Sequence, residues 1–227
     1  LHIEAHSFPT RRSSDLYNVP VQSHLSENHG EIEWVAALHP EAANYTDVYY
    51  EHHLMGKVPT VMAHCIHLSD VEMDRMAETQ TMVSHCPYSN VNLSSGIAPI
   101  RKLFERKIPI GLGSDISGGH IVSMAKVLTE AIGLSKMKWV EVDQTYAPLT
   151  LSEAFYMATK GGGKFFGKVG SFEKGCELDA LVIDDTTLFD PNERSLEERL
   201  ERWLYVGDDR HIVERYVAGK VAPEPTN

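Results

Sequence analysis

The sequence predicts an α/β protein built from parallel βα units, and three observations carry that expectation. Short apolar or β-branched runs at Val19–Ser23, Thr60–Ala63, Met82–Ser84 and Ile108–Leu112 alternate with helix-like stretches. The runs are too apolar to leave either face in water, as strands of a parallel sheet are. Each ends on a polar residue able to do chemistry: His24, His64, His85 and, after Gly113-Ser114, Asp115. Such a series forms either a doubly wound sheet or part of a (β/α)₈ barrel, and in both the functional side chains gather at the carboxyl ends of the strands.

In chain order, the first segment is anomalous. The stretch from His6 to Leu16 is basic and Ser-rich, unlike its flanks, and reads like the translation of a short-read sequencing adapter. Residues 1–16 are therefore expected to be a non-native or disordered leader, and a chain opening on Leu1 reads as a fragment of a longer protein. Glu27–Leu38, Ile97–Arg106 and Val122–Met137 read as helices. Ser69-x-x-Glu72 is a capping box opening the stretch with Val71, Met73 and Met76, and Thr150-x-x-Glu153 opens another through Phe155 and Met157. After residue 168 the texture changes. A turn-rich segment from Gly170 to Gly175 leads into a strand at 179–184, a polar helix follows at Arg194–Tyr205, and Ile212–Ala218 alternates before Gly219. The expected division is 17–168 as one α/β unit and 169–227 as a small β-rich domain.

Composition narrows the function. The 227 residues carry 21 Lys and Arg against 32 Asp and Glu, a net charge of −11. That excess of acid argues against a partner made of nucleic acid or anionic membrane, either of which is met by clustered cations. No apolar run approaches the ~18–20 residues that span a bilayer, and the amino terminus lacks a secretory layout. A cytoplasmic setting is expected. Cys65, Cys86 and Cys176 are too few and too scattered for a disulfide framework or a CxxC zinc site, so free thiols are expected.

The candidate site residues follow from the strand ends. His24 is trailed three residues later by Glu27, a spacing that lets imidazole bind a metal while the carboxylate reaches the same cavity for proton transfer. Taken alone, that spacing equally describes a strand-end His and a solvated helix Glu. His64 alone reads as a hydrogen-bonded core histidine as readily as a reactive one. Gly111-Leu112-Gly113-Ser114-Asp115 is sharper, since two glycines permit close backbone packing just before a carboxylate that emerges at a strand end. A helix N-cap is the plain alternative for Asp115. Three histidines and an aspartate, His24, His64, His85 and Asp115, at the ends of successive strands form a constellation that core packing does not require.

On these motifs the chain resembles the amidohydrolase superfamily, and within it the guanine deaminases. The likeness runs from about Val19 onward. It is carried by Gln22-Ser23-His24-Leu25-Ser26-Glu27-Asn28, Asn44-Tyr45-Thr46-Asp47-Val48-Tyr49, Val61-Met62-Ala63-His64, the segment from Ser84 to Asn90 with Leu93-Ser94-Ser95-Gly96, the segment from Gly111 to Gly119, and Tyr205-Val206-Gly207-Asp208-Asp209-Arg210. The resemblance implies a partial (β/α)₈ barrel, strands five to eight, with part of a small β-rich composite domain. It implies one Zn²⁺ held in part by His24 and Asp115, with Glu27 as proton shuttle and His64 hydrogen-bonding the reacting group. Ser26 and His85 are implied to support the site or touch substrate; for His85 the alternative is a strand-end cap held by Pro87 and Asn90. In such enzymes zinc lowers the pKa of water from about 15.7 to about 7. The implied reaction adds hydroxide to guanine C2, with Asp115 accepting a proton and Glu27 protonating ring N3, and expels ammonia to leave xanthine. A homodimeric parent is implied as well.

The departures matter too. The family's His-x-His zinc ligands and its Arg-Phe purine clamp both lie upstream of the matched region, and neither motif occurs here. With only His24 and Asp115 as implied ligands where catalytic zinc takes three protein ligands, this chain by itself is expected to be a poor enzyme or none. His2-Ile3-Glu4 imitates the His-x-Glu of cytidine-type deaminases, but no Pro-Cys-x-x-Cys accompanies it. Two other readings stand beside the main one: another amidohydrolase deaminase or chlorohydrolase acting on a cytosine, a modified adenosine or a triazine, and a non-catalytic αβ module.

Overall fold

A computed structural model describes residues 18–223, so the leader expected over 1–16 lies outside the described residues. The α/β expectation holds. Strands β1 (Val21–Leu25), β2 (Thr60–His64), β3 (Met82–His85) and β4 (Ile110–Leu112) form one parallel sheet in the order β1-β2-β3-β4. Proline sets where three of them begin. Pro20, Pro59 and Pro109 immediately precede β1, β2 and β4. Lacking an N–H, proline cannot donate to the ladder, so β1 and β4 start two residues later than their apolar runs. Its carbonyl still can accept: Val21 N donates to Pro59 O at 2.9 Å and Val83 N to Pro109 O at 2.8 Å.

Helices cross between the strands. Helices α1 (His29–Leu38) and α2 (Tyr45–Glu51) link β1 to β2, α3 (Asp70–Glu78) links β2 to β3, and α4 (Pro87–Asn92) and α5 (Ile100–Glu105) link β3 to β4. Helix α1 starts at His29 rather than Glu27 because the Asn28 side chain caps it, accepting from Glu31 N at 2.9 Å. Helices α2 and α4 are too short to show a period in sequence. Their punctuation is local, an Asn44 cap for α2 and Pro87 at the first position of α4. After β4 come α6 (Met124–Glu141) and α7 (Leu151–Tyr156), the latter running into a π-helical turn at Met157–Gly161. Both expected capping boxes form, at Ser69/Glu72 and Thr150/Glu153.

The sheet buries its outward face under these helices. Leu25, Met62, Val83 and Ile110 meet Met73 and Met76 of α3, Leu103 of α5, Leu128 and Ile132 of α6, and Met157 in one core. Burying each such side chain contributes roughly 1.5–3 kcal/mol. Along β1 the pattern alternates, with Leu25 buried while Gln22 and His24 are exposed, so His24 belongs to the opposite face.

The later residues make a three-stranded antiparallel sheet of β5 (Ala180–Ile183), β6 (Ile212–Val217) and β7 (Lys220–Val221), with α8 (Leu196–Val206) between β5 and β6. Trp203 and Leu204 of α8 join the same core, and Lys126 Nζ of α6 donates to Leu204 O at 3.2 Å. Among the described residues no helix is long and apolar enough to cross a membrane.

Candidate active site

Parallel register brings the carboxyl ends of β1 to β4 to one edge of the sheet: Leu25 lies opposite His64, Ala63 opposite Ser84, and His85 opposite Leu112. At that edge the chain turns sharply four times. Ser26 (φ 50°), His64 (φ 69°), Cys65 (φ 52°) and Asp115 (φ 44°) all adopt the left-handed region, a conformation that costs a non-glycine residue about 1–3 kcal/mol and clusters at functional sites. The turns are tied together, since Cys65 N donates to Leu25 O at 2.9 Å and Ile66 N to Ser26 O at 3.1 Å.

These turns converge Glu27, His64 and Asp115. His64 Nε2 stands 3.7 Å from Glu27 Oε2 and 4.0 Å from Asp115 Oδ2, while the His24 ring is stacked 5.4 Å from the His64 ring at 15°. At those separations the groups face one space without bonding each other directly. His64 is 1% exposed and Asp115 31%, so the space opens to solvent on the aspartate side.

Each member is held from behind. Tyr49 Oη donates to His24 O at 3.1 Å and shares a 2.7 Å bond with Ser23 Oγ. The Glu31 carboxylate accepts from Glu27 N at 2.7 Å and from Tyr45 Oη at 3.0 Å, fixing the backbone of Glu27. Ser95 Oγ donates to Glu27 Oε1 at 2.9 Å, and His64 Nδ1 bonds Asn90 Oδ1 at 2.9 Å. Asp115 is not a helix cap, since Ser123 holds that position for α6; its carbonyl instead accepts from Gly119 N at 2.6 Å in a tight turn. Side chains crowd the glycine inside that turn. A Cβ on Gly118 would sit 2.5 Å from Asp115 Oδ2 and 2.6 Å from Ser89 Oγ. The expected role of Gly113 in close packing is met likewise, with a Cβ there falling 2.5 Å from Ser84 Oγ.

The structure does not bring every sequence candidate together. Ser26 is buried with its Oγ unpartnered among the described residues, and its carbonyl anchors the loop after β2. His85 is 2% exposed and lines a separate cavity of about 160 Å³ between α5 and α6, with Ala98, Ala131, Leu134 and Trp139. Burial, with the nearby His64 ring adding, lowers the His85 imidazole to about 3, so it is neutral at ordinary pH. Asn90, expected to hold His85, bonds His64 instead. Strand alternation explains the difference: Ser84 and Cys86 share a face, their Oγ and Sγ 3.8 Å apart, and His85 between them takes the other. The residues that sequence reasoning left without roles are Glu31, Tyr49, Ser95 and Gly118, while Asn90 was linked to His85 and not to His64. All but Glu31 stood in the motifs that carried the resemblance, yet nothing in their spacing ties them to Glu27, His24, His64 or Asp115.

A divalent cation fits this mouth in part. His24 and Asp115 are of ligand type, and Gly118 keeps Asp115 Oδ2 clear of side-chain obstruction. Among the described residues, however, no three His, Cys, Asp or Glu stand close enough to hold a metal ion on their own.

Comparison with known proteins places this geometry. The Amidohydrolase family model matches residues 11–222. The guanine deaminase of Dictyostelium discoideum is 42% identical over 206 residues, 88% of this chain but 45% of the relative. The crystal structure of guanine deaminase from C. acetobutylicum with bound guanine in the active site superposes with a TM-score of 0.90 at 51% identity, covering 93% of this chain and 50% of that one. An adenosine deaminase from Xanthomonas campestris with bound zinc, 24% identical, shares the fold with a TM-score of 0.77 over 92% of this chain and 46% of that one. The chain spans about half the length of the curated relatives it matches. The family model extends over nearly all of the described residues, both sheets included, and the chain belongs to the amidohydrolase family.

Proposed function

We propose that this chain carries half of the active site of a guanine deaminase, which hydrolyses guanine to xanthine and ammonia. The observation that carries the reading is the convergence of Glu27, His64 and Asp115 on one space at the sheet's carboxyl edge, with His24 stacked beside them. The likeness to guanine deaminases, one of them holding guanine, supports the choice of substrate. In this reading the parallel strands are strands five to eight of a (β/α)₈ barrel, residues 17–168 its carboxyl half, and residues 169–227 a small β-rich composite domain. A cytoplasmic, homodimeric protein is part of the same proposal.

His24 and Asp115 would hold one zinc ion together with ligands from outside this chain's described residues. When bound, zinc supplies the Lewis acidity that makes water a nucleophile at neutral pH. The chain's own groups supply the rest. Asp115, partly open to solvent, takes a proton from the attacking water. Glu27, its backbone fixed by Glu31, delivers a proton to ring N3 as C2 becomes tetrahedral, and general acid–base help of that kind is worth about 10²–10⁴-fold. His64, at 1% exposure, excludes bulk water and offers a ring nitrogen to the reacting group.

The test is an assay of a longer protein containing this half, with guanine, cytosine and a triazine as substrates, alongside the 227-residue chain. Guanine turnover that is lost on chelation and in H24A supports the reading, as does negligible turnover by the shorter chain. Preference for another substrate, or turnover indifferent to chelation, overturns it.

A further inference from the structure

Two of the hydrogen bonds behind the site come from one short stretch of chain. Asn90 lies in α4, and Ser95 follows it in the loop toward α5. The stretch is braced on itself and on its neighbours. Ser95 N donates to Asn90 O at 2.8 Å, His67 Nε2 meets Ser95 O at 2.7 Å, and His67 N donates to Ser26 O at 3.1 Å. Both side chains are buried, so neither bond is exchanged freely with water.

The chemistry of the two bonds is specific at the level of atoms. A carboxylate can only accept, so Ser95 donates its hydroxyl proton to Glu27 Oε1 and leaves Oε2 as the oxygen that faces His64. The Asn90 carbonyl can also only accept, so the proton it receives is on His64 Nδ1, and the lone pair of a neutral ring is then on Nε2. Nε2 is the atom that stands 3.7 Å from Glu27 Oε2 and 4.0 Å from Asp115 Oδ2. With the ring neutral, three acceptors face one space, an arrangement that calls for a cation or a transferring proton between them. The Asn90 Nδ2 is buried without a partner among the described residues.

We infer that Asn90 and Ser95 are positioning residues, which select the atom of His64 and of Glu27 that is turned toward the reacting centre. For its catalytic consequence the inference rests on the deaminase reading; the geometry of the pair does not. Such supporting partners are typically worth about 10–100-fold in activity.

The test has two arms. In the 227-residue chain labelled with ¹⁵N-histidine and ¹³C-glutamate, NMR is expected to show His64 protonated on Nδ1. N90D, which still accepts that proton, keeps this tautomer, whereas the isosteric, apolar N90L loses it; S95A shifts the Glu27 carboxyl resonance. A wild-type His64 protonated on Nε2, or a Glu27 resonance unmoved in S95A, overturns the inference. Should N90L fail to fold, wild type and N90D decide that half. In the longer deaminase, S95A is expected to lower kcat about 10-fold or more with KM within about twofold. An unchanged kcat, or a loss confined to KM, overturns the catalytic role. If the unsubstituted longer protein leaves guanine intact while the NMR signatures hold, the deaminase reading fails and the positioning stands.

Discussion

His24 and His64 lie nearly parallel, ring centroids 5.4 Å apart, although the first is an exposed residue within β1 and the second closes the fully covered end of β2. The pairing follows from register: Leu25 opposes His64, and the left-handed turn at His64 swings its ring back over the residue before Leu25. One imidazole is therefore accessible and its neighbour shielded. That asymmetry suits a ligand beside a hydrogen-bonding group.

Glu27 is the first residue to test. E27Q keeps the acceptor that Ser95 uses and removes the transferable proton, so the longer enzyme is expected to lose about 10²–10⁴-fold in kcat with little change in melting temperature. Steady-state assays with calorimetry on the same samples check both halves. A loss of stability matching the loss of rate would assign Glu27 to structure.

Gly118 offers a second test, steric rather than electrostatic. G118A places a methyl group 2.5 Å from Asp115 Oδ2. We expect the turn to yield at a cost of about 1–3 kcal/mol, as overpacking generally does, and metal uptake in the longer protein to fall as the carboxylate is displaced. Thermal melts and metal content after dialysis against zinc measure the two effects; unaltered metal content would show that Asp115 Oδ2 is not a ligand.

The ion pair between Arg101 and Glu153 gives a pH prediction. Arg101 clamps both carboxylate oxygens, at 2.6 and 2.9 Å, and with the Thr150 cap holds the Glu153 carboxyl down at about 2, against 4.5 ordinarily. A carboxyl depressed in the folded state contributes stability above about pH 4.5 and loses it as pH falls toward 2. With Glu153 31% exposed, solvent screening limits the contribution to about 1 kcal/mol. In urea titrations, E153Q should be less stable than wild type at pH 7, with the gap narrowing below about pH 4.5 and closing only as pH approaches about 2. A gap independent of pH would refute the charge argument.

The thiols should separate by burial. Desolvation pushes Cys86 up to about 11 and Cys65 well above its usual range, while Cys176 is partly exposed. A maleimide at pH 7.5 is expected to label Cys176 in the native chain and Cys65 and Cys86 only after denaturation, as peptide mass spectrometry would report. Rapid native labelling of Cys86 would mean that the turn after β3 opens.

How much of this was legible in sequence depends on the range of the signal. The four parallel strands announce themselves as apolar runs, and His24, Glu27, His64 and Asp115 sit where such strands end. The sharpest sequence cue, the glycines before Asp115, corresponds to real crowding at Gly113. What could not be read were partnerships across long separations: Ser95 reaches Glu27 over 68 positions and Asn90 reaches His64 over 26. No local period encodes those contacts. The face that His85 takes was illegible for a different reason. A strand of four residues is too short to reveal from sequence which face each side chain takes, and the wall between α5 and α6 that receives His85 exists only once the helices pack.

The left-handed turns at Ser26, His64 and Asp115 set durability against activity. Glycine relaxes such a backbone at little steric cost, so any selection of this protein for heat resistance alone should drift toward glycine at those three places. Its most rugged descendants would then be the ones that had discarded their imidazole and carboxylate, and a stability screen run without an activity screen would enrich for inert survivors.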